Sequence, residues 1–473
     1  MGGASLIQKR VYNIIFTLMN RFLFYVLIAC FFITKAFSQN LPVPSKRQLA
    51  WQPMETTAFL HFTVNTFTDK EWGDGTESES VFNPTKFDAR QWIKALKEAG
   101  FKMAILTAKH HDGFCLWPSA YTEHSVKNSP WKSGKGDVLK EVSDACREFG
   151  LKFGVYLSPW DRHEASYGTP AYNTYYKNQL RELLTNYGTI SEVWFDGAKG
   201  ENAKDMEYDF RGYWALVRQL QPGAVIFSDA GPDVRWVGNE KGNAGQTCWS
   251  TIDTAGMAPG KADPSYLNMG DPNGKFWIPA ETDVSIRPGW FYHPAENEKV
   301  KSPGELVNLY YESVGHNSLL LLNIPPNREG LLSEPDVSSI KEFRKILNET
   351  FSLNYAAGKI PSSLTDKKLA SFVSLKVNQP LIIDFNETVT IDRAMLQENI
   401  AIGQRVENGV LEYQDGNGWK TLIAFTTVGY KRLLRFKPVK VQKIRFIISG
   451  AKDTVQLAEI GFFKASSREQ VLK

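Results

Sequence analysis

Asp196 is the most informative candidate for chemistry in the chain, because it ends a strongly apolar segment. Residues 191–195, Ser-Glu-Val-Trp-Phe, predict a buried strand, and Gly197 then turns the chain. A carboxylate at the C-terminal tip of a parallel strand lies where α/β barrels carry their catalytic groups. The alternative interpretation is an aspartate that caps the turn or helix that follows.

Histidine is scarce in the sequence, yet three of the seven histidines end apolar runs. His61 follows one run, and His110 and His111 follow another, within Lys109–Gly113. The next apolar run ends in Tyr156–Asp161. Polar and aromatic residues at the ends of successive strands favour an active site over an isolated capping aspartate.

A pair of carboxyl groups is the arrangement that cleaves bonds between sugars, one attacking or stabilising the anomeric carbon and the other protonating the leaving oxygen. Glu240 is the preferred second carboxyl group, since it lies beside Trp236 in a glycine-bounded loop after an apolar segment. Partial burial against aromatic neighbours raises a carboxyl pKa, as a general acid requires. On residue type alone, the competing acids are Glu71, Asp233, Glu281 and Asp283.

The segments around these residues alternate between helices and strands. Helices open on capping residues such as Asp88 and Asp137, stop at glycines and are followed by apolar strands. Such repeats predict right-handed parallel βα units and, at this length, an α/β fold with a (β/α)8-like barrel. Six or seven strands are visible, which predicts an irregular barrel. The runner-up, a doubly wound sheet, lacks a glycine-rich phosphate loop after any early strand. The predicted helix and strand pairs are 88–100 with 101–107, 137–150 with 152–157, 175–188 with 192–195, 208–223 with 224–227, and 305–315 with 319–322.

The composition divides the chain into three parts. Residues 39–350 form the predicted catalytic barrel, and residues 351–473 contain short strands and turns that predict a C-terminal β-sandwich. The linker is expected at Gly358–Ser363. The C-terminal domain is interpreted either as a structural module packed on the barrel or as a carbohydrate-binding module.

Residues 1–38 predict a signal peptide. An uninterrupted apolar and aromatic run at 22–33 follows Arg21 and precedes the small-x-small site Ala36–Ser38. The run is too short for a membrane span. A lipid anchor at Cys30 is the alternative, although the residues after Cys30 remain strongly apolar. We therefore expect an exported protein, periplasmic or extracellular.

Removal of that segment takes away four basic residues and no acidic one, so the formal charge of +4 falls to zero. A neutral chain provides no argument for binding nucleic acid or an acidic membrane surface. Three cysteines then remain, Cys115, Cys146 and Cys248, without the number or spacing of a disulfide framework or a zinc site. The chemistry above requires neither a metal nor an organic cofactor.

Six motifs follow one another along the chain: His61-Phe62, Glu71-Trp72, Lys109–Phe114, Tyr156–Ser158, Trp194–Asp196 and Trp236–Glu240. Together they resemble the motifs of bacterial α-L-fucosidases of glycoside hydrolase family 29, over about residues 45–345. The Gly-Asn-Glu sequence of the last motif is similar to the branch of the family that prefers α-1,3 and α-1,4 linkages on branched glycans. The C-terminal segment resembles the discoidin-like jelly roll that often follows such barrels.

The resemblance implies a role for each motif. The catalytic nucleophile falls on Asp196 and the acid/base on Glu240. Trp290 or Phe291 is expected to cover the fucose methyl group. Trp236 is expected on the leaving-group side, where we also expect Asp233, Arg235 and Asn239. The sugar-binding positions of the family fall on His61, Glu71, Trp72, His110, His111, Tyr156 and Trp194.

The expected function is therefore that of a retaining exo-glycosidase that releases α-L-fucose from fucosylated oligosaccharides or glycoconjugates, with α-1,3 and α-1,4 links preferred. The alternatives are a catalytically silent fucose-binding protein, a glycosidase for another deoxy or galacto-configured sugar, and a fucosidase of broad or α-1,2 specificity. The presence of both Asp196 and Glu240 argues against a silent protein.

Overall fold

The computed structural model describes residues 41–471. The predicted signal peptide and Cys30 lie outside these residues. Within the described range, no helix combines the length and the apolar character that crossing a membrane requires.

A closed barrel of parallel strands forms the first half of the fold. The first ten strands are β1 (Thr56–Leu60), β2 (Met103–Lys109), β3 (Lys152–Leu157), β4 (Glu192–Trp194), β5 (Val225–Ser228), β6 (Val234–Trp236), β7 (Thr251–Ile252), β8 (Phe276–Trp277), β9 (Ala280–Ser285) and β10 (Leu319–Asn323). In order around the barrel the strands are β1, β10, β9, β6, β5, β4, β3 and β2, and the two short strands β7 and β8 pair with each other. The predicted (β/α)8-like barrel is thus confirmed, with all eight strands present.

The helices that cover the barrel follow from local sequence signals. In the third helix the Asp88 carboxylate accepts hydrogen bonds of 2.9 and 3.1 Å from first-turn amides. Trp92, Ile93 and Leu96 form its buried face. The helix ends before Gly100, whose φ of +84° suits glycine. The α-helices are α1 (Lys46–Trp51), α2 (Val64–Thr68), α3 (Ala89–Glu98), α4 (Val138–Phe149), α5 (Pro170–Asn186), α6 (Phe210–Leu220), α7 (Pro264–Met269), α8 (Pro303–Glu312), α9 (Glu334–Thr350) and α10 (Ser467–Val471).

The irregularity of the barrel lies in one connection rather than in a missing strand. Residues 229–233 join β5 directly to β6, with no helix between these two parallel strands. The expectation that Asp233 and Arg235 reach the leaving-group side is wrong. Arg235 is buried, and its guanidinium donates to backbone carbonyls, including those of Leu267 and Trp249. Arg235 belongs to the barrel wall because residues 234–236 pair as β6, and Asp233 joins the same wall through its hydrogen bonds with the Ile226 backbone of β5.

The C-terminal domain is an antiparallel β-sandwich of six strands, as predicted. The strands are β11 (Val373–Leu375), β12 (Leu381–Glu398), β13 (Val406–Asp415), β14 (Gly418–Phe425), β15 (Arg432–Ala451) and β16 (Val455–Phe463). Their order in the sheet is β11, β16, β12, β15, β13, β14, and breaks in register interrupt the two longest strands, β12 and β15. Buried aliphatic and aromatic side chains such as Ile383, Phe446 and Phe462 form the core of the sandwich.

Glu55 joins the sandwich to the end of the barrel at which β1 begins. Its carboxylate accepts hydrogen bonds from Tyr310 of the barrel (2.6 Å) and from Tyr430 of the sandwich (2.7 Å), and it pairs with Lys431. Burial alone would raise the pKa of Glu55, but Lys431 and the two hydroxyl groups hold it below its ordinary value. Nearby, the Tyr430 amide donates to Asn317 of the barrel at 2.7 Å. These contacts support the structural interpretation of the C-terminal domain, whereas sugar binding by it stays a prediction.

Asp233 provides a test of the corrected barrel wall. Its buried carboxylate accepts hydrogen bonds from Arg47 (2.9 Å), from Arg218 and from the Ile226 amide (2.8 Å). We expect Asp233→Ala to lower the free energy of unfolding by roughly 2–4 kcal/mol, because it removes the shared partner of two arginines. Chemical denaturation measures this loss, and Asp205→Ala, at an exposed ion pair, is the control. Unchanged stability with impaired turnover would instead restore the leaving-group role.

Candidate active site

Asp196 lies one residue beyond Phe195, at the end of β4. One oxygen, Oδ2, accepts a hydrogen bond of 2.9 Å from the Tyr156 hydroxyl on β3. The other, Oδ1, accepts one of 2.8 Å from the Ala198 amide. The His111 Nε2 atom lies 3.6 Å from Oδ2. The carboxylate is thereby oriented by two donors, with a histidine beside it.

The surroundings of Asp196 favour its neutral form. Burial raises the pKa of the carboxyl group to about 7, and the negative charges of Asp229 and Glu240 act in the same direction. The hydrogen bonds from Ala198 and Tyr156 act in the opposite direction. A positive charge that develops in this pocket would be attracted by the Asp196 carboxylate, which burial leaves poorly hydrated.

The three histidines predicted from the sequence meet at the barrel mouth. His61 Nδ1 lies 2.8 Å from Asn323 Oδ1, and His111 Nδ1 lies 2.7 Å from the Ser158 hydroxyl. His110 and His111 follow the end of β2 in a turn, so their rings approach each other to 4.1 Å between centroids. The bend explains how two adjacent residues reach one site.

These imidazoles are neutral at ordinary pH. Burial lowers the pKa of His61 and of His111 to about 3, and it lowers the pKa of His110 well below its ordinary value. His110 Nδ1 is buried without a hydrogen-bond partner in the described part of the chain. A neutral imidazole offers one donor and one acceptor, which suits a hydroxyl group.

Aromatic rings line the rest of the mouth. Trp194 stacks on Phe227 at 4.1 Å between centroids. The Trp290 ring lies 5.2 Å from that of His61, and the Phe291 ring lies 5.0 Å from that of His110. Trp72 is 46% exposed, and its ring lies 5.5 Å from that of His111. Apolar ring faces therefore alternate with polar edges, as a site for a sugar with an apolar group requires.

Glu240 lies on the rim, four residues after β6, and is exposed to solvent. Burial of its carboxyl group by surrounding protein raises its pKa, a polar contact from Trp290 lowers it, and the charge of Glu71 raises it. The negative charge of Glu240 contributes to the raised pKa of Asp196. Both residues follow parallel barrel strands, Asp196 after β4 and Glu240 after β6, so they lie at the same rim. A cavity of about 920 Å³ opens beside Asp196, lined by residues 196–199, 205–210 and 258–261 and by residues at the start of α5.

The competing acids occupy other positions. Glu281 lies inside the barrel, where it accepts a 2.9 Å hydrogen bond from Trp194 and faces Glu192, and burial raises the pKa of both acids. Asp283, also buried, accepts a 2.8 Å hydrogen bond from the Trp236 indole. Asp233 lies in the barrel wall. The fourth, Glu71, is already bound by the loop that carries Trp290.

Several groups at the mouth were not predicted from the sequence. Ser158 and Asn323 hold two of the histidines, and both follow apolar strand segments, a signal that could have identified them. Asp229 follows β5 in the same way, and its Oδ2 atom accepts a 2.5 Å hydrogen bond from Gly260.

Comparisons with known proteins agree with this geometry. The family model for α-L-fucosidase matches residues 41–350. The chain belongs to the α-L-fucosidase family. It is 46% identical to α-L-fucosidase 1 of Arabidopsis thaliana over 454 residues, which cover 90% of this chain and 89% of the relative.

Solved structures of relatives extend the comparison over the sandwich. A glycoside hydrolase 29 family member from an unknown rumen bacterium is 44% identical, with a TM-score of 0.83, over 90% of this chain and 78% of that one. A Ruminococcus gnavus family 29 fucosidase in complex with fucose is 34% identical, with a TM-score of 0.83, over 90% of this chain and 96% of that one. The predicted class of enzyme, an α-L-fucosidase, is confirmed.

The pKa of Asp196 leads to a test by pH dependence. An Asp196 that acts as a carboxylate must be ionised, so we expect kcat/KM to fall as the pH drops through about 7. Asp229→Asn removes a negative charge that raises this pKa, so the acid limb should move to lower pH. The pH profile on an aryl α-L-fucoside measures the shift, with Asp415→Asn, at an exposed ion pair of the sandwich, as the control. An acid limb that stays in place or moves to higher pH would contradict the electrostatic account.

Proposed function

We propose that this enzyme is a retaining α-L-fucosidase that prefers fucose linked α-1,3 or α-1,4 on branched glycans. The observation that carries the proposal is Asp196 itself, a partly buried carboxyl group at a strand end, held by Tyr156 and Ala198, with its pKa raised in part by the charge of Glu240. Retaining glycosidases use two such groups about 5 Å apart.

In the first step, the Asp196 carboxylate attacks the anomeric carbon of fucose, and the bond from that carbon to the leaving oxygen breaks. Glu240 donates its proton to the leaving oxygen. Its raised pKa suits this role, because the group must be protonated near neutral pH. The hydrogen bonds from Tyr156 and Ala198 orient the attacking carboxylate.

In the second step, water attacks the anomeric carbon of the fucosyl-enzyme. Glu240, now a carboxylate, takes the proton of the water, and the ester bond to Asp196 breaks. Free fucose leaves with the configuration of the substrate, and both carboxyl groups return to their starting state. Glu240 therefore acts as the acid in the first step and as the base in the second.

The fucose pocket in this proposal is the mouth lined by His61, His110, His111, Tyr156 and Trp194. The neutral histidines bind hydroxyl groups, and Trp290 or Phe291 packs on the C5 methyl group. The fucose bound by the Ruminococcus gnavus relative supports this choice of sugar. Trp72 lies beside His111 and is exposed enough to contact the same sugar.

The linkage preference rests on the space outside that pocket. Two surfaces outside the pocket support it: Trp236, half-buried at the rim end of β6, and a cavity of about 920 Å³ beside Asp196 that Trp236 does not line. A branched acceptor that binds there could use its remote contacts to favour the transition state. Broad or α-1,2 specificity is the alternative outcome.

The nucleophile assignment predicts a chemical rescue. Asp196→Ala should abolish turnover while the protein stays folded, because no ester intermediate can form. Azide should then restore product release by attacking in place of the missing carboxylate, and product analysis by NMR identifies the fucosyl azide. Near-normal turnover by Asp196→Ala would reject the assignment.

A companion variant tests the acid. Glu240→Gln should slow substrates with poor leaving groups by roughly a hundred- to ten-thousand-fold, and activated aryl fucosides much less, because only the former need protonation. Glu281→Gln is the matched control inside the barrel. If Glu281→Gln shows this leaving-group dependence and Glu240→Gln does not, the acid/base is misassigned.

Substrate comparison tests the linkage preference. We expect kcat/KM for a Lewis-type trisaccharide to exceed that for a 2'-fucosylated trisaccharide by at least about ten-fold, because the 2'-fucosylated substrate would lack the contacts between acceptor sugar and enzyme. Trp236→Ala should narrow the gap, while Trp419→Ala in the sandwich should leave it unchanged. Equal or reversed values in the unaltered enzyme would refute the preference.

A further inference from the structure

Residues 286–293, called here the Trp290 loop, follow β9 and form one wall of the proposed fucose pocket. Trp290 and Phe291 carry that wall, with their rings against His61 and His110. The loop contains no helix or strand of its own. Its shape therefore depends on bonds to other parts of the barrel.

The base of the loop is held by buried groups. Arg287 pairs with Asp336 of α9 at 3.0 Å, and both side chains are fully buried. Asn323 at the end of β10 donates to the Trp290 carbonyl at 2.8 Å. The Ser285 hydroxyl donates to the Gly289 carbonyl at 2.7 Å. None of these bonds reaches the amide groups of Trp290 and Phe291.

Those amides are held by Glu71, which lies in the loop after β1. Its Oε2 atom accepts from the Trp290 amide at 2.8 Å, and its Oε1 atom accepts from the Phe291 amide at 3.1 Å. One carboxylate thus ties the loops of two strands that are not neighbours, since β10 lies between β1 and β9. The same carboxylate contributes to the raised pKa of Glu240.

His293 fixes Glu71 in that position. Its Nε2 atom lies 2.6 Å from Glu71 Oε1, and its Nδ1 atom lies 3.0 Å from Asp69 Oδ1. Arg328 also pairs with Asp69, at 3.1 Å, and Glu296 adds a nearby negative charge. Burial alone would lower the pKa of His293, but the bonds to Glu71 and Asp69 raise it above its ordinary value. An imidazolium with both N–H groups donating fits two carboxylate partners.

Gly289 makes the approach of Glu71 to the loop sterically allowed. A Cβ atom at this position would lie 2.4 Å from Glu71 Oε1 and 3.1 Å from His293 Cδ2. An alanine there would push the carboxylate off the loop without changing any charge. The glycine is therefore a second, independent part of the same arrangement.

We propose that His293 is a positioning residue for fucose binding, which fixes Glu71 on the Trp290 and Phe291 amides so that their rings close the pocket over His61 and His110. This role rests on the fucose pocket proposed above. His293 acts only through Glu71 and contacts no reacting atom.

Two variants should produce the same defect from different causes. His293→Phe removes the donor to Glu71, and Gly289→Ala displaces the Glu71 carboxylate. Each should raise KM for an aryl α-L-fucoside by about ten-fold and change kcat little, since one charge-assisted hydrogen bond that shapes the pocket is lost. In the Asp196→Asn background, the Kd for fucose measured by calorimetry should rise by the same factor.

The controls separate positioning from general destabilisation. His293→Gln can still donate to Glu71 and should restore most of the affinity. His316→Gln, at a half-buried histidine bonded to the Ala244 carbonyl, and Gly223→Ala, where an added Cβ meets nothing, should have no effect. Hydrogen exchange of residues 287–293 should speed up in His293→Phe and Gly289→Ala only.

Each outcome decides the question. Unchanged exchange and unchanged Kd in His293→Phe and Gly289→Ala would overturn the proposal. Faster exchange with unchanged Kd would show a purely structural tie and also overturn it. If the Asp196→Asn enzyme binds no fucose, the proposed fucose pocket is wrong and the positioning role falls with it. Slow hydrogen exchange of the Trp290 loop that becomes faster in His293→Phe and Gly289→Ala would then show only that Glu71 holds the loop.

Discussion

Every candidate catalytic group depends on one geometric constraint, which is that a closed barrel of parallel strands ends all its strands at a single rim. Asp196 follows β4, and His110 and His111 follow β2. Glu240 follows β6, which enters the barrel without a helix before it. Residues far apart in the chain thereby share one mouth, and the barrel supplies their spacing.

Burial at this mouth sets the electrostatics of the site. It raises the pKa of Asp196 to about 7 and keeps His61 and His111 neutral, with pKa values near 3. A pocket of neutral donors around a poorly solvated carboxylate is suited to a transition state that develops positive charge. The closed barrel also holds Glu192 and Glu281 in its interior, where the Trp51 and Trp194 indoles bind them.

Long-range polar bonds then fix the parts that the barrel strands do not hold. Glu71 joins the loop after β1 to the loop after β9, and Glu55 joins the barrel to the sandwich. In both cases a single carboxylate accepts hydrogen bonds from several donors, so its position is strongly determined. The two joints lie at opposite ends of the barrel, one at the mouth and one where the strands begin.

Local signals in the sequence were enough for five helices (α3, α4, α5, α6 and α8), most barrel strands, the sandwich and the position of Asp196, because capping residues, glycine stops and apolar runs act over a few residues; α9 was not predicted. They were not enough for β6 and β9. Val234–Trp236 is short and contains a charged residue, and β9 carries Glu281 and Asp283 among its apolar residues. The tertiary structure alone decided that Arg235 is satisfied by distant carbonyl groups and that Glu71 is bound by amides more than two hundred residues away. Such partners leave no periodic pattern in the chain, since they come together only when the barrel closes.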